Sequence, residues 1–210
     1  MRLVLLVEGW TEKELPAFLK RWLDPQLPRP IGIHAVRLPG APNFVNNVAK
    51  RVRSHLTHEE DTIAVFGLLD LYGLQLDYPK HADRDQKVSW ARTQIMNRVE
   101  PIYRPKFRQH FAVHEIEAWL VTDPRLFPTI KLPDKCVQPE EIDFEEPPSK
   151  LLDRLFKERE HRRRHRGYDK TTMAANLFPR LDPTLVYQKC PNFKLLMDEM
   201  LDMARQALTA

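Results

Sequence analysis

Two stretches of this chain are apolar without interruption and end on an acid. Leu3-Val4-Leu5-Leu6-Val7 runs into Glu8-Gly9, and Thr62-Ile63-Ala64-Val65-Phe66-Gly67-Leu68-Leu69 runs into Asp70. A strand that alternates apolar and polar residues buries one face. A strand without alternation buries both, which happens where helices cover both sides of a parallel sheet. The intervening residues supply those helices. Thr11 and Glu14 have capping-box spacing, and Leu15, Phe18, Leu19, Trp22 and Leu23 follow at helical intervals, with Pro16 inside the pattern. Residues 31–38 read as a second strand, and Asn43 is placed to cap a helix carrying Phe44, Val48, Val52 and Leu56. A further helix is expected over 87–99, a fourth strand over 107–113 and a short helix over 115–121. This order predicts an α/β fold, an open and mostly parallel four-stranded sheet with right-handed crossovers and flanking helices. Residues 126–148 are rich in proline and acids. Ser149 is placed to cap a helix bearing Leu151, Leu152, Leu155 and Phe156, and the last helix is expected from about Asn192. The expected organisation is an α/β domain over 1–125, a Pro-rich acidic loop over 126–148, and a helical extension over 149–210 packed on the same domain.

With 210 residues the chain is long enough for one full core without staples. No apolar run approaches the roughly 20 residues of a membrane span, and the first apolar run is too short for a signal peptide. Cys136 and Cys190 are too few and too far apart for a disulfide framework or a Cys-based zinc site. The expected location is the cytoplasm, with no membrane partner. The net charge of +4 says little by itself, but its distribution says more. Residues 139–147 hold five acids and no base, whereas 150–170 hold nine Lys/Arg against four acids. Arg162, Arg163, Arg164 and Arg166 read either as a solvated helix end or as a patch that tracks nucleic-acid phosphates.

In an open α/β sheet, ligands sit outside the carboxyl ends of the strands. Glu8, Asp70 and Glu115, with Glu117 close behind, fall at three such ends. Clustered carboxylates repel unless a cation joins them, and Mg²⁺ takes one or two carboxylates together with substrate phosphates. Each acid also has a structural reading. Asp70 can start a turn and Glu115 can sit in a helix's first turn. Thr11 already fills the capping role near Glu8. His114, beside Glu115, is placed to support a metal ligand. His161 and His165 lie in an arginine run that repels cations, and His55, His58 and His81 read as solvated. No phosphate-binding Gly-x-x-x-x-Gly-Lys loop, His-Glu-x-x-His pair or Gly-x-Ser-x-Gly elbow occurs.

Leu5-Leu6-Val7-Glu8-Gly9-Trp10-Thr11-Glu12 resembles the first motif of the Toprim fold, the catalytic module of topoisomerases, primases and related nucleases. Phe66-Gly67-Leu68-Leu69-Asp70-Leu71-Tyr72-Gly73 stands where that fold has its Asp-x-Asp strand end. The chain is most similar to small stand-alone Toprim-like proteins through three further features: His114-Glu115-Ile116-Glu117-Ala118, Pro148-Ser149-Lys150 with Tyr168-Asp169-Lys170, and Cys190-Pro191-Asn192-Phe193. The resemblance implies a nuclease dependent on Mg²⁺ or Mn²⁺, or a nuclease subunit, serving prokaryotic defence against phage beside an AAA- or ABC-type ATPase, with DNA as the expected nucleic acid. Carried over by position, it makes Glu8 a general acid or base and a metal ligand, and Asp70 a metal ligand. Glu115 or Glu117 would replace the acid missing at Tyr72, and Lys170 would neutralise phosphate charge. Glu12, Tyr72, Gly73 and His114 would support the site. The missing second acid leaves open a non-catalytic adaptor that binds an ATPase or nucleic acid through the same fold.

Overall fold

The computed structural model describes residues 1–9, 11–71, 74, 76–113, 115–137, 139–141, 146–160 and 170–209. Four strands, β1 (Arg2–Val7), β2 (Gly32–Arg37), β3 (Thr62–Asp70) and β4 (Phe107–Ala112), form one sheet in the order β2-β1-β3-β4. All three neighbouring pairs are parallel. The helices are α1 (Leu15–Leu23), α2 (Ala41–His58), α3 (Arg84–Arg98), α4 (Glu117–Leu120), α5 (Pro148–Glu160), α6 (Lys170–Leu177), α7 (Pro183–Lys189) and α8 (Pro191–Thr209).

The strand order decides the layers. From β1 the chain steps one way to β2, then returns across β1 to β3 and on to β4. Right-handed crossovers then place α1 on one face and α2 and α3 on the other. The two cores follow the alternation of β1. Leu3, Leu5 and Val7 pack with Leu15, Phe18 and Leu19 of α1. Val4 and Leu6 pack with Phe44, Val48 and Val52 of α2 and with Val88, Ala91 and Ile95 of α3. The C-terminal helices complete the α1 face: Trp119, Leu151, Leu152, Phe178, Val186, Phe193, Met197 and Met200 share its core. The Trp119 and Phe193 rings meet edge to face at 4.8 Å, and Phe18 lies 6.2 Å from Trp119.

Several helix starts differ from the sequence expectation. Residues Thr11–Glu14 form a single 3₁₀ turn, and α1 proper begins at Leu15 without a side-chain cap. Pro16 therefore sits in the first turn, where its missing N–H costs nothing. The helix expected to be capped by Asn43 starts three residues earlier, at Ala41 after Gly40 at φ +82°, and Asn43 lies inside α2 bonded to Asn47. α3 begins at Arg84, before the expected 87, because Asp83 and Gln86 close a capping box. Ser149 is not a cap, since α5 already starts at Pro148. Helices α6 and α7 were not anticipated; Asp182 caps α7 by accepting the Thr184 N–H at 2.9 Å. His55, expected in solvent, is buried and 2.9 Å from Glu59. Glu140, in the acidic loop, is also buried. Among the described residues no helix is long and apolar enough to cross a membrane.

Candidate functional site at the carboxyl edge of the sheet

In a sheet ordered β2-β1-β3-β4 the chain reverses direction between β1 and β3. The crevice outside their carboxyl ends is where this architecture leaves room for a ligand. Glu8 follows the last residue of β1, and Asp70 is the last residue of β3. Leu6 is in register with Gly67, so the two carboxylates emerge from adjacent strand ends within one residue step of each other. Both are partly exposed and both are engaged in interactions within the protein.

The turn that presents Glu8 is closed by Glu12. The Gly9 N–H donates to Glu12 Oε1 at 2.9 Å, and Glu12 is buried. A Cβ on Gly9 would lie 2.6 Å from Glu12 Oε2, so any larger residue here would push the Glu12 carboxylate aside. Glu12 thus acts on the site by fixing the backbone beside Glu8. A cation enters from the third side. Arg37, which the sequence reading did not single out, is in register with Val7 at the carboxyl end of β2 and is exposed. A Lys or Arg closing an edge strand was the available signal.

The fourth strand brings the remaining acids. Ala112 is in register with Asp70, and the Leu71 N–H donates to Ala112 O at 2.8 Å, so β3 and β4 leave the sheet together. Glu115 lies just beyond and is buried. Its Oε2 accepts the Ser149 N–H at 3.0 Å, which satisfies an amide at the start of α5. Glu117 opens α4 and is 1% exposed, so it faces protein interior. The sheet therefore sets Glu8 and Asp70 at adjacent strand ends, and Glu115 and Glu117, beyond the end of β4, are buried. Among the described residues no group of three or more His, Cys, Asp or Glu side chains is arranged to hold a metal ion. Lys170 opens α6, and nothing of its side chain is described. Tyr72, Gly73, His114, Arg162, Arg163, Arg164 and Arg166 lie outside the described residues.

On the α2 face, a groove of about 710 Å³ lies between the first turns of α2 and residues that follow β3. Its walls include Ala41, Val45, Asn46, Leu74, Leu76 and Asp77. In kind and number, Glu8 and Asp70 fit what Mg²⁺ takes from protein.

The fold defines a doubly wound α/β protein with an acid at the carboxyl end of each of the two strands that flank its switch point. Residues 7–201 match the model of a family described as a domain of unknown function, DUF4276, and the chain belongs to that family. No match emerged among the curated proteins or the solved structures.

Proposed function

We propose that this chain is a metal-dependent nuclease of Toprim type, or the nuclease subunit of a larger assembly, cleaving phosphodiesters of nucleic acid, DNA foremost. The observation that supports the reading is the placement of Glu8 and Asp70 at the carboxyl ends of the adjacent strands β1 and β3, at the switch point. These two residues would hold Mg²⁺ or Mn²⁺. When bound, the ion supplies charge neutralisation on the phosphodiester and on the attacking oxygen. Glu8 would take or return a proton, and the hydrogen bond from the Gly9 N–H to Glu12, which steadies the turn beside it, supports that role. Arg37 and Lys170 would bind non-bridging oxygens, and Arg162, Arg163, Arg164 and Arg166 would track the backbone further along. The Toprim resemblance adds the setting: a cytoplasmic protein acting beside an AAA- or ABC-type ATPase in antiviral defence.

The adaptor reading draws on Glu115. One oxygen of the acid that would replace the missing carboxylate at Tyr72 is already committed to the Ser149 N–H. In that reading the fold recruits the ATPase or nucleic acid without cutting.

Calorimetric titration of Mn²⁺ separates the two when run on the parent and on Glu8→Ala/Asp70→Ala, alongside cleavage of linear and single-stranded DNA. The nuclease reading expects binding and cutting by the parent alone. Cutting by the double variant at the parent's rate would remove both residues from the site. No ion binding and no cutting by the parent, with retained DNA or ATPase binding, would establish the adaptor.

A further inference from the structure

The two edges of the sheet are treated differently. On the β4 side, the Leu71 bond to Ala112 O shows that Ala112 faces β3. Alternate residues of a parallel strand send both backbone groups to the same neighbour, so Phe107 and Gln109 face outward. Their carbonyls are taken by the chain's own guanidiniums: Arg92 Nε donates to Gln109 O at 3.0 Å, and Arg108 Nη1 donates to Phe107 O at 2.9 Å. A strand edge closed by arginines resists pairing with another strand.

On the β2 side nothing equivalent is present. The Gly32 N–H donates to Met1 O at 3.1 Å and the Leu38 N–H to Val7 O at 2.7 Å. Residues 32, 34, 36 and 38 therefore face β1, and the N–H and C=O groups of Ile33 and Ala35 face outward. Among the described residues no strand other than β1 pairs with β2, and no side chain bonds to the backbone of Ile33 or Ala35. The strand has no proline, lysine or bulge to discourage pairing, and Gly32, His34 and Arg37 are exposed.

We propose that β2 pairs with the β2 strand of a second copy of this chain, antiparallel about Ala35, so that two four-stranded sheets become one of eight. The strand's own sequence selects this occupant. A two-fold axis normal to the sheet keeps each face continuous, so partners must lie on the same face and outward groups must meet. Centring on Ala35 opposes Ile33 to Arg37 and His34 to Val36, and puts the smallest side chain on the axis. The outward groups of Ile33 and Ala35 then have partners, and no like charges are opposed. Centring one residue earlier would oppose two copies of His34. One residue later would bring Ile33 against Pro39, which has no N–H to give. The strands of the two copies run in opposite directions, so their Glu8/Asp70 crevices open at opposite ends of the joined sheet. The proposal is independent of the nuclease reading.

The test uses the full chain. Cα atoms of a hydrogen-bonded antiparallel pair lie about 5.5 Å apart, within disulfide reach. Both native cysteines are free and buried and offer no competing crosslink. Under mild oxidation Ala35→Cys should give a reducible dimer at twice 24.8 kDa, and Arg51→Cys on the exposed side of α2 should not. Sedimentation of the parent over a concentration series should show the mass doubling. Ala35→Pro removes only an outward N–H and should weaken association tenfold or more with an unchanged circular dichroism spectrum. A parent that stays at 24.8 kDa throughout, with no Ala35→Cys crosslink, overturns the proposal. So does a dimer that Ala35→Pro leaves intact, because the interface would then lie elsewhere.

Discussion

Gly67 shows how a single missing side chain shapes this core. It is in register with Gln109, whose amide lies across β3 where a Cβ would stand, and Phe44 of α2 closes the same space at 3.1 Å from that Cβ. Of these two neighbours the Phe44 ring is buried and rigid, so Gln109 is the one that can yield. Gly67→Ala should therefore cost about 1–3 kcal/mol in urea unfolding, and Gln109→Ala in the same chain should recover part of it. His110, one residue on, points to the opposite face. It is buried, stacks on Phe66 and lies 3.0 Å from Glu199 of α8. A carboxylate only accepts, so Nε2 carries the proton. Burial holds the His110 imidazole below its ordinary 6.5, against the pull of Glu199. The unfolded chain then binds a proton that the folded chain refuses, and stability must fall as pH drops below about 6.5. Burial pushes the Glu199 carboxyl up, but His110 and the Arg108 and Arg92 charges outweigh it and leave it lowered. Its contribution is lost further down, below the ordinary carboxylate value, in the same direction. His110→Asn keeps a donor toward Glu199 and cannot titrate, so the slope of unfolding free energy between pH 5 and 7 should flatten.

Helix starts divide into two kinds at the level of elements. α3 and α7 carry their caps in adjacent sequence, Asp83 and Asp182. Asp83→Ala should cost ~1 kcal/mol by denaturant unfolding, the usual worth of such a cap. α5 and α8 borrow theirs from far along the chain. Glu115 serves Ser149, and Glu140 accepts from the Asn192 N–H at 2.9 Å and the Phe193 N–H at 3.4 Å. Burial pushes the Glu140 carboxyl up against the pull of those amides. Between its ordinary and raised values the folded chain holds the extra proton, so this residue lowers stability as pH rises, opposite to His110. Glu140→Ala leaves buried amides without an acceptor and should cost about 1–3 kcal/mol, with early loss of hydrogen-exchange protection in the first turn of α8. Neither borrowed cap was legible in the sequence, because donor and acceptor stand 34 residues apart in one case and 52 or 53 in the other. A helix opening on Cys190-Pro191 without a local cap was the available hint.

At the scale of the molecule, α4 to α8 are part of the core on the α1 face and not an ornament on it. Leu196, Met197, Met200 and Ala204 of α8 are buried against the residues that also cover Leu3 and Leu5. A chain ended at Lys189 should lose that face of the sheet. The expected readouts are retained far-UV dichroism, a collapsed near-UV signal and dye binding to exposed apolar surface. Met197→Ala, a smaller cut in the same place, should cost about 2–4 kcal/mol.

The sequence by itself determined what local periodicity can encode. Uninterrupted apolar runs at 3–7 and 62–69 demanded a sheet covered on both faces, and the alternation of strands with helical spacing demanded parallel crossovers. An acid after each run placed Glu8 and Asp70 at strand ends. Only the tertiary structure decided which strand ends are neighbours. The order β2-β1-β3-β4 makes the strand ends that carry Glu8 and Asp70 neighbours and sets Arg37 level with Val7 on the other side of β1. The physical reason is that a strand's pattern specifies its burial and not its neighbour. Neighbours follow from the handedness of the crossovers and from which faces the helices must cover, and those are properties of the whole packed chain.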